Sequence, residues 1–238
     1  MKERIQLMWR RLFILGVPFA LCVCTSFLVA QTSPLSEANG GWKQLFNGRD
    51  LAGWKHVGEG VMVVKNGMLQ SAGHGMGLLY WAGGKVGNCA IRVVYRMSDE
   101  FDNSGIYIRI PVEPREVWMP INYGYEVQID NHPETTGEDE YHATGTLYSL
   151  TKPLAKAWKP GTEWNTMEII LDGPHTIVTL NGVKVTDYTE GDPVPEREVN
   201  WEPLRGRRPD DGWFGLQNHM NEKSEVVFFK EVALKALR

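Results

Sequence analysis

Cysteine is almost absent from this chain. There are three in 238 residues, and two of them, Cys22 and Cys24, fall in an N-terminal segment that stands apart from the rest. Cys89 alone remains beyond it, which excludes an intrachain disulfide and leaves stability to a packed core. Helical periodicity is nearly missing as well, and Pro153 to Lys159 is the one stretch after the N-terminal segment that reads as a short helix. No HExxH and no GxSxG occurs, so zinc-protease and serine-hydrolase readings have no support. The glycine-rich run Gly73-His74-Gly75-Met76-Gly77 lacks both the lysine and the strand-to-helix setting of a phosphate loop, and reads as a flexible connection within a sheet or beside a site. No internal repeat or low-complexity tract appears.

The first residues follow the layout of a secretory signal. Lys2, Arg4, Arg10 and Arg11 precede an apolar run from Leu12 to Ala30, and a polar stretch begins at Gln31. The run is long enough for an uncleaved anchor, but Pro18 and the small Ala30 favour cleavage. Neither Cys22 nor Cys24 follows the small residue that a lipid-modified cysteine needs. The expected organisation is a signal over 1–31, a linker over 32–40 and one domain over 41–238, in an exported protein of the periplasm or the medium. Cleavage takes four of the 25 basic and one of the 29 acidic residues, leaving a net charge of about −7 that argues against a nucleic-acid backbone as partner.

What the chain does have is a series of short strands broken by turn signals. Val61–Val64 and Met68–Gln70 flank Asn66-Gly67, and His175–Leu180 and Val183–Val185 flank Asn181-Gly182. Asn-Gly supplies the two positive φ values of a type I′ turn, so both pairs are expected hairpins. Cys89–Arg96, Trp164–Leu171, Gly212–His219 and Glu225–Leu237 add further strands. Many short strands at near-regular spacing indicate an all-β antiparallel sandwich or jelly roll. A Pro-rich excursion from Thr189 to Asp211 is long for a bare connection, and is expected to be a lid over a site or a partner surface.

Three strands put chemistry on one face. Alternation places Glu126, Gln128 and Asp130 opposite Tyr125, Val127 and Ile129, and places Tyr107 and Arg109 with Gly105 opposite Ile106 and Ile108. In the same way Gln217 and His219 share a face of the strand that begins near Gly212. Glu126 and Asp130 lie about 13 Å apart along an extended strand, too far for the paired carboxylates of ordinary glycosidases. His132, Glu134, Glu138, Asp139, Glu140 and His142 offer oxygen and nitrogen ligands to a divalent cation, but without a calcium-loop spacing the acidic loop reads as solvated. A divalent metal stays open as a cofactor.

Taken together, Trp42–Trp54 (WKQLFNGRDLAGW), Asn103–Arg109 (NSGIYIR), Tyr125–Asp130 (YEVQID), Thr144–Tyr148 (TGTLY), Glu163–Ile169 (EWNTMEI), Leu180–Val185 (LNGVKV) and Gly215–His219 (GLQNH) resemble the 3-keto-disaccharide hydrolase domain family. The resemblance implies a concanavalin-like jelly roll that cleaves 3-keto-glycosides after a sugar 3-oxidoreductase has oxidised them. A ketone at C3 acidifies the C2 proton, so a base can remove it, the C1 substituent can leave, and water can add back. On that chemistry Glu126 or His219 is the base or acid, while Arg109 and Gln217 stabilise the enolate oxygen or bind hydroxyls. Gln128, Tyr107 and Asn103 join them in binding the sugar, and Asp130 orients a partner or ligates a metal. Two competing readings are a lectin-like carbohydrate-binding module, which nine Trp and eight Tyr would suit, and a purely structural surface domain.

Overall fold

Alternating apolar residues build two antiparallel sheets that close face to face. The computed structural model describes residues 40–220 and 226–237, so the signal expected over 1–31 and nearly all of the expected linker lie outside the described residues. The strands are β1 (Lys43–Gln44), β2 (Trp54–Gly58), β3 (Val61–Lys65), β4 (Met68–Ala72), β5 (Gly75–Trp81), β6 (Cys89–Met97), β7 (Ser104–Ile110), β8 (Tyr125–Ile129), β9 (Asn165–Asp172), β10 (His175–Leu180), β11 (Val183–Thr189), β12 (Trp213–Met220) and β13 (Val227–Ala236). One sheet runs β11-β10-β9-β6-β13-β4-β3, with β1 also paired to β13, and the other runs β2-β5-β12-β7-β8. This is the jelly-roll sandwich that the turn spacing predicts.

The core lies between the sheets. Ile91, Val93 and Tyr95 of β6 and Met167, Ile169 and Leu171 of β9 meet Ile106 and Ile108 of β7, Val127 and Ile129 of β8 and Leu216 of β12. Both Asn-Gly hairpins form, with Asn66 and Gly67 at φ 53° and 77° and Asn181 and Gly182 at φ 53° and 84°. Part of the glycine-rich run, from Gly75 onward, is strand β5 rather than loop.

The helix expected over Pro153–Lys159 is absent. The edge of the first sheet takes up their backbone instead: Leu154 N–H donates to the Val185 carbonyl and Asn181 Nδ2 donates to that of Ala157. Among the described residues a short α-helix, α1 (Trp118–Tyr123), forms in the segment between β7 and β8. It packs over the outer face of the second sheet, where Ile121 joins Leu78, Tyr80, Tyr107 and Ile110 in a separate apolar cluster.

One local irregularity decides which side chains reach that face. Between β7 and β12, Trp213 faces Ile110 while Gly215 faces Tyr107, so β7 carries one extra residue. Arg109 sits in this bulge at φ 54°. The bulge breaks the two-residue alternation, and Ile110 joins the outer cluster.

Candidate functional site

The outer face of the second sheet carries a cavity of about 380 Å³ lined by Asn103, Tyr107, Glu126, Gln128, Gln217 and His219, together with Met76, Trp118, Ile121, Glu138, Tyr148 and Trp201. Strand register assembles its floor. Tyr80 faces Gly215 across β5 and β12, Gly215 faces Tyr107 across to β7, and Tyr107 faces Glu126 across to β8. Gly105 faces Gln128, and a Cβ added to it would lie 2.1 Å from Glu126 Oε1. Glycine at that position therefore makes the room into which the Glu126 carboxyl folds.

A strand-like segment from Thr144 to Tyr148 covers the free edge of β8. Gln128 N–H donates to the Thr146 carbonyl, and Tyr148 N–H donates to that of Glu126. This pairing brings Tyr148 beside Glu126 and lets its hydroxyl donate to Glu138 Oε1 at 3.1 Å.

Glu126 is 9% exposed, and burial pushes its carboxyl up to about 7. The hydrogen bonds from Tyr107 and Gln217 and the charge of His219 act in the opposite direction, while Glu138 adds to the rise. Gln217 Nε2 donates to the Tyr107 hydroxyl at 2.8 Å, which leaves the phenolic proton for Glu126. Gln128 and Gln217 are both buried, and their Oε1 atoms have no hydrogen-bond partner among the described residues. Two acceptors thus stand ready at the floor for hydroxyl donors.

A model of the 3-keto-alpha-glucoside-1,2-lyase-like domain matches residues 41–235. The chain belongs to this family. Among solved structures, a candidate glycosyl hydrolase from Parabacteroides distasonis superposes with a TM-score of 0.65 at 24% identity, over 82% of this chain and 99% of that one. A second from the same organism gives 0.64 at 23%, over 85% and 97%. The carbohydrate-binding module CBM66 from Bacillus subtilis gives 0.51 at 13%, over 77% and 96%. At these identities the structural likeness establishes the fold alone. No curated protein matches the sequence. Family membership ties this lyase-like domain to carbohydrate.

Six of the eight site residues expected from sequence line the one cavity: Glu126, His219, Gln217, Gln128, Tyr107 and Asn103. Asp130 stands behind them. Its Oδ2 accepts from Asn103 Nδ2 at 3.4 Å, and Asn103 Oδ1 accepts from Gln128 Nε2 at 3.4 Å, so it reaches the lining through a relay. Burial raises its carboxyl to about 6, against the backbone N–H of His132.

Arg109 is a correction to the sequence reading. The bulge turns it away from the face of Tyr107, and its fully buried guanidinium bridges the two sheets. Nε donates to Thr176 Oγ1, and the terminal nitrogens donate to the carbonyls of Gly173, His175 and Pro209 at 2.8–3.0 Å. With four of its donors engaged there and its side chain outside the cavity lining, Arg109 ties the two sheets together and stands apart from the cavity.

Six further lining residues, Met76, Trp118, Ile121, Glu138, Tyr148 and Trp201, were not among the site residues expected from sequence. Tyr148 closes the quoted Thr-Gly-Thr-Leu-Tyr string, which was a usable signal. Trp201 lies within the Thr189–Asp211 excursion, in keeping with the first of its two expected roles. Side chains of the acidic loop contact one another and neighbouring segments, with His132 beside Glu134 and Glu100, His142 beside Asp139, and Glu140 paired with Lys152. Among the described residues no group of three or more His, Cys, Asp or Glu is arranged to hold a metal ion.

Proposed function

We propose that the domain cleaves 3-keto-glycosides by elimination, with Glu126 as the base. The observation that carries this reading is a buried carboxyl, held near neutrality by burial, on a floor of amides and phenol. A base whose pKa lies near the working pH combines an available ionised form with real proton affinity. Glu126 takes the C2 proton, and the electron pair of the C2–H bond enters the enolate of the C3 ketone. Collapse of the enolate forms the C1–C2 double bond and expels the C1 oxygen substituent with its bonding pair. His219, in the same cavity, supplies the proton that the departing oxygen needs. Addition of water across C1–C2 then gives the free 3-keto sugar, and net hydrolysis. Gln128 and Gln217 accept from the sugar hydroxyls, and Asn103 with Asp130 behind it fixes the orientation of Gln128. The reading also includes export of the chain and a sugar 3-oxidoreductase that supplies the ketone; fractionating cells that make the full chain tests the first.

The test of cleavage is incubation with a chromogenic 3-keto-glucoside beside the unoxidised glucoside, each with and without chelator. Chromophore release from the keto form only is expected. Equal release from both glucosides, or from neither, overturns the elimination. A second reading, carbohydrate binding without turnover, draws on the exposed Trp118 and Trp201 at the cavity. Saturable sugar binding with no release from either substrate selects it.

A further inference from the structure

We propose that the mouth of the cavity is a subsite for the leaving group, and that Trp118 and Trp201 select glycosides whose departing group presents a flat, apolar ring face. An aryl ring and a second pyranose share that chemistry. The proposal rests on the elimination reading for its substrate, but binding tests it independently.

The lining of the cavity is sorted by depth. Tyr107, Glu126, Gln128 and Gln217 are all buried at the floor, whereas Trp118 and Trp201 remain 49% and 54% exposed. Amides and a carboxyl suit the hydroxyls and the reacting carbons of one sugar ring. Two half-exposed indoles suit neither, and leaving them in water forgoes the free energy of covering apolar area. A group attached at C1 of the ring on the floor is what remains to cover them. The cavity volume of about 380 Å³ sits near the lower end of the usual range for small-ligand sites, about 300–1,000 Å³, so the occupant is a short glycoside rather than a long chain threaded through.

The two indoles come from separate elements, and both elements are pinned. Arg208 is buried, and its guanidinium donates to the carbonyls of Asn122 and Gly124 at the C-terminal end of α1. It therefore ties the helix that carries Trp118 to the excursion that carries Trp201. Arg205 fixes the excursion further, donating to the carbonyls of Pro195 and Pro203, to Ser149 Oγ and to Glu202 Oε2. A connection that served only to span β11 and β12 has no need of such staples. A platform that must present an indole in one orientation does, because a surface ordered before binding loses less entropy when the ligand arrives.

The experiment compares Trp201→Ala, Trp118→Ala and Trp201→Phe with the wild-type chain on three 3-keto-glucosides of one anomer, bearing methyl, phenyl or glucosyl leaving groups. Taking the variant-to-wild-type ratio of kcat/KM for each substrate cancels the intrinsic ease of departure. Each alanine variant is expected to lose about fivefold to tenfold on the ring-bearing substrates and less than about twofold on the methyl glycoside, with phenylalanine restoring most of the loss at 201. Loss on phenyl alone assigns the subsite to aryl groups, and loss on glucosyl as well assigns it to a second sugar. Equal losses on all three substrates, or none, overturn the proposal. Calorimetric binding of unoxidised phenyl and methyl glucosides runs beside it. A preference for phenyl in the wild-type chain that Trp201→Ala abolishes supports the subsite even where no keto substrate turns over, the outcome that removes elimination. Equal binding of the two glucosides overturns the subsite.

Discussion

Replacing Glu126 by Gln separates the catalytic cost of the carboxyl from its structural cost, because the two changes run in opposite directions. The carboxyl ordinarily titrates at 4.5, and in the folded chain it titrates at about 7. At pH 4 both the folded and the unfolded chain hold the proton, and the site costs nothing. Between 4.5 and 7 the unfolded chain has released its proton while the folded chain still keeps one, so stability falls as pH rises. Above 7 both forms are ionised and the full penalty persists. A difference of 2.5 units corresponds to at most about 3 kcal/mol, since one unit is worth about 1.36 kcal/mol. Gln keeps an oxygen for the Tyr107 hydroxyl but cannot ionise, so the variant escapes this loss. Urea unfolding of wild type and Glu126→Gln at pH 4.5, 6 and 8 is expected to give curves that diverge by about 3 kcal/mol across that interval, with the variant the more stable at pH 8. The same variant is expected to lose about 100-fold or more of its turnover of a 3-keto-glucoside. Parallel stability profiles would show that Glu126 ionises as freely when folded as when unfolded, and full turnover in Glu126→Gln would remove it from the chemistry.

Three further substitutions test the architecture around that carboxyl. Gly105→Ala introduces a Cβ 2.1 Å from Glu126 Oε1 and must displace the carboxyl; kcat is expected to fall at least tenfold while far-UV circular dichroism is unchanged, and an unaltered kcat refutes the idea that Gly105 makes room for the base. Tyr107→Phe removes a hydrogen bond that holds the Glu126 pKa down, so the acid limb of the pH–kcat/KM profile is expected to move to higher pH; a limb that stays in place, or moves down, contradicts the relay from Gln217. Arg109→Lys loses the planar fork that reaches three carbonyls and Thr176, and is expected to lower unfolding stability by about 3 kcal/mol or more while the folded fraction retains its kcat; a specific loss of kcat in a stable protein returns Arg109 to the site.

The sequence makes the outer face of β8 legible, because nothing interrupts its alternation. Glu126 and Gln128 follow the two-residue period into the cavity, while Val127 and Ile129 pack between the sheets. The same rule assigns Arg109 to the wrong side, for a reason that no single strand contains. The extra residue in β7 is defined only against its partner β12, so the register of two segments more than 100 residues apart decides where the guanidinium points. Arg109 is also an unbranched residue that takes the left-handed region at φ 54°, where Gly or Asn would have signalled the break. Trp118 and Trp201 were hidden by a different limit. Strand alternation has nothing to say about a six-residue helix or an irregular excursion, and those two segments meet at one rim through contacts such as the Arg208 staple and the Leu204 N–H to Asn122 carbonyl bond. Local periodicity thus reveals the floor of the site, which regular strands build, and stays silent on its wall, which depends on pairings made far away in the chain. The chemistry proposed for the floor was therefore open to inference from sequence, while the choice of leaving group was not, since it resides in the part of the site that local pattern does not encode.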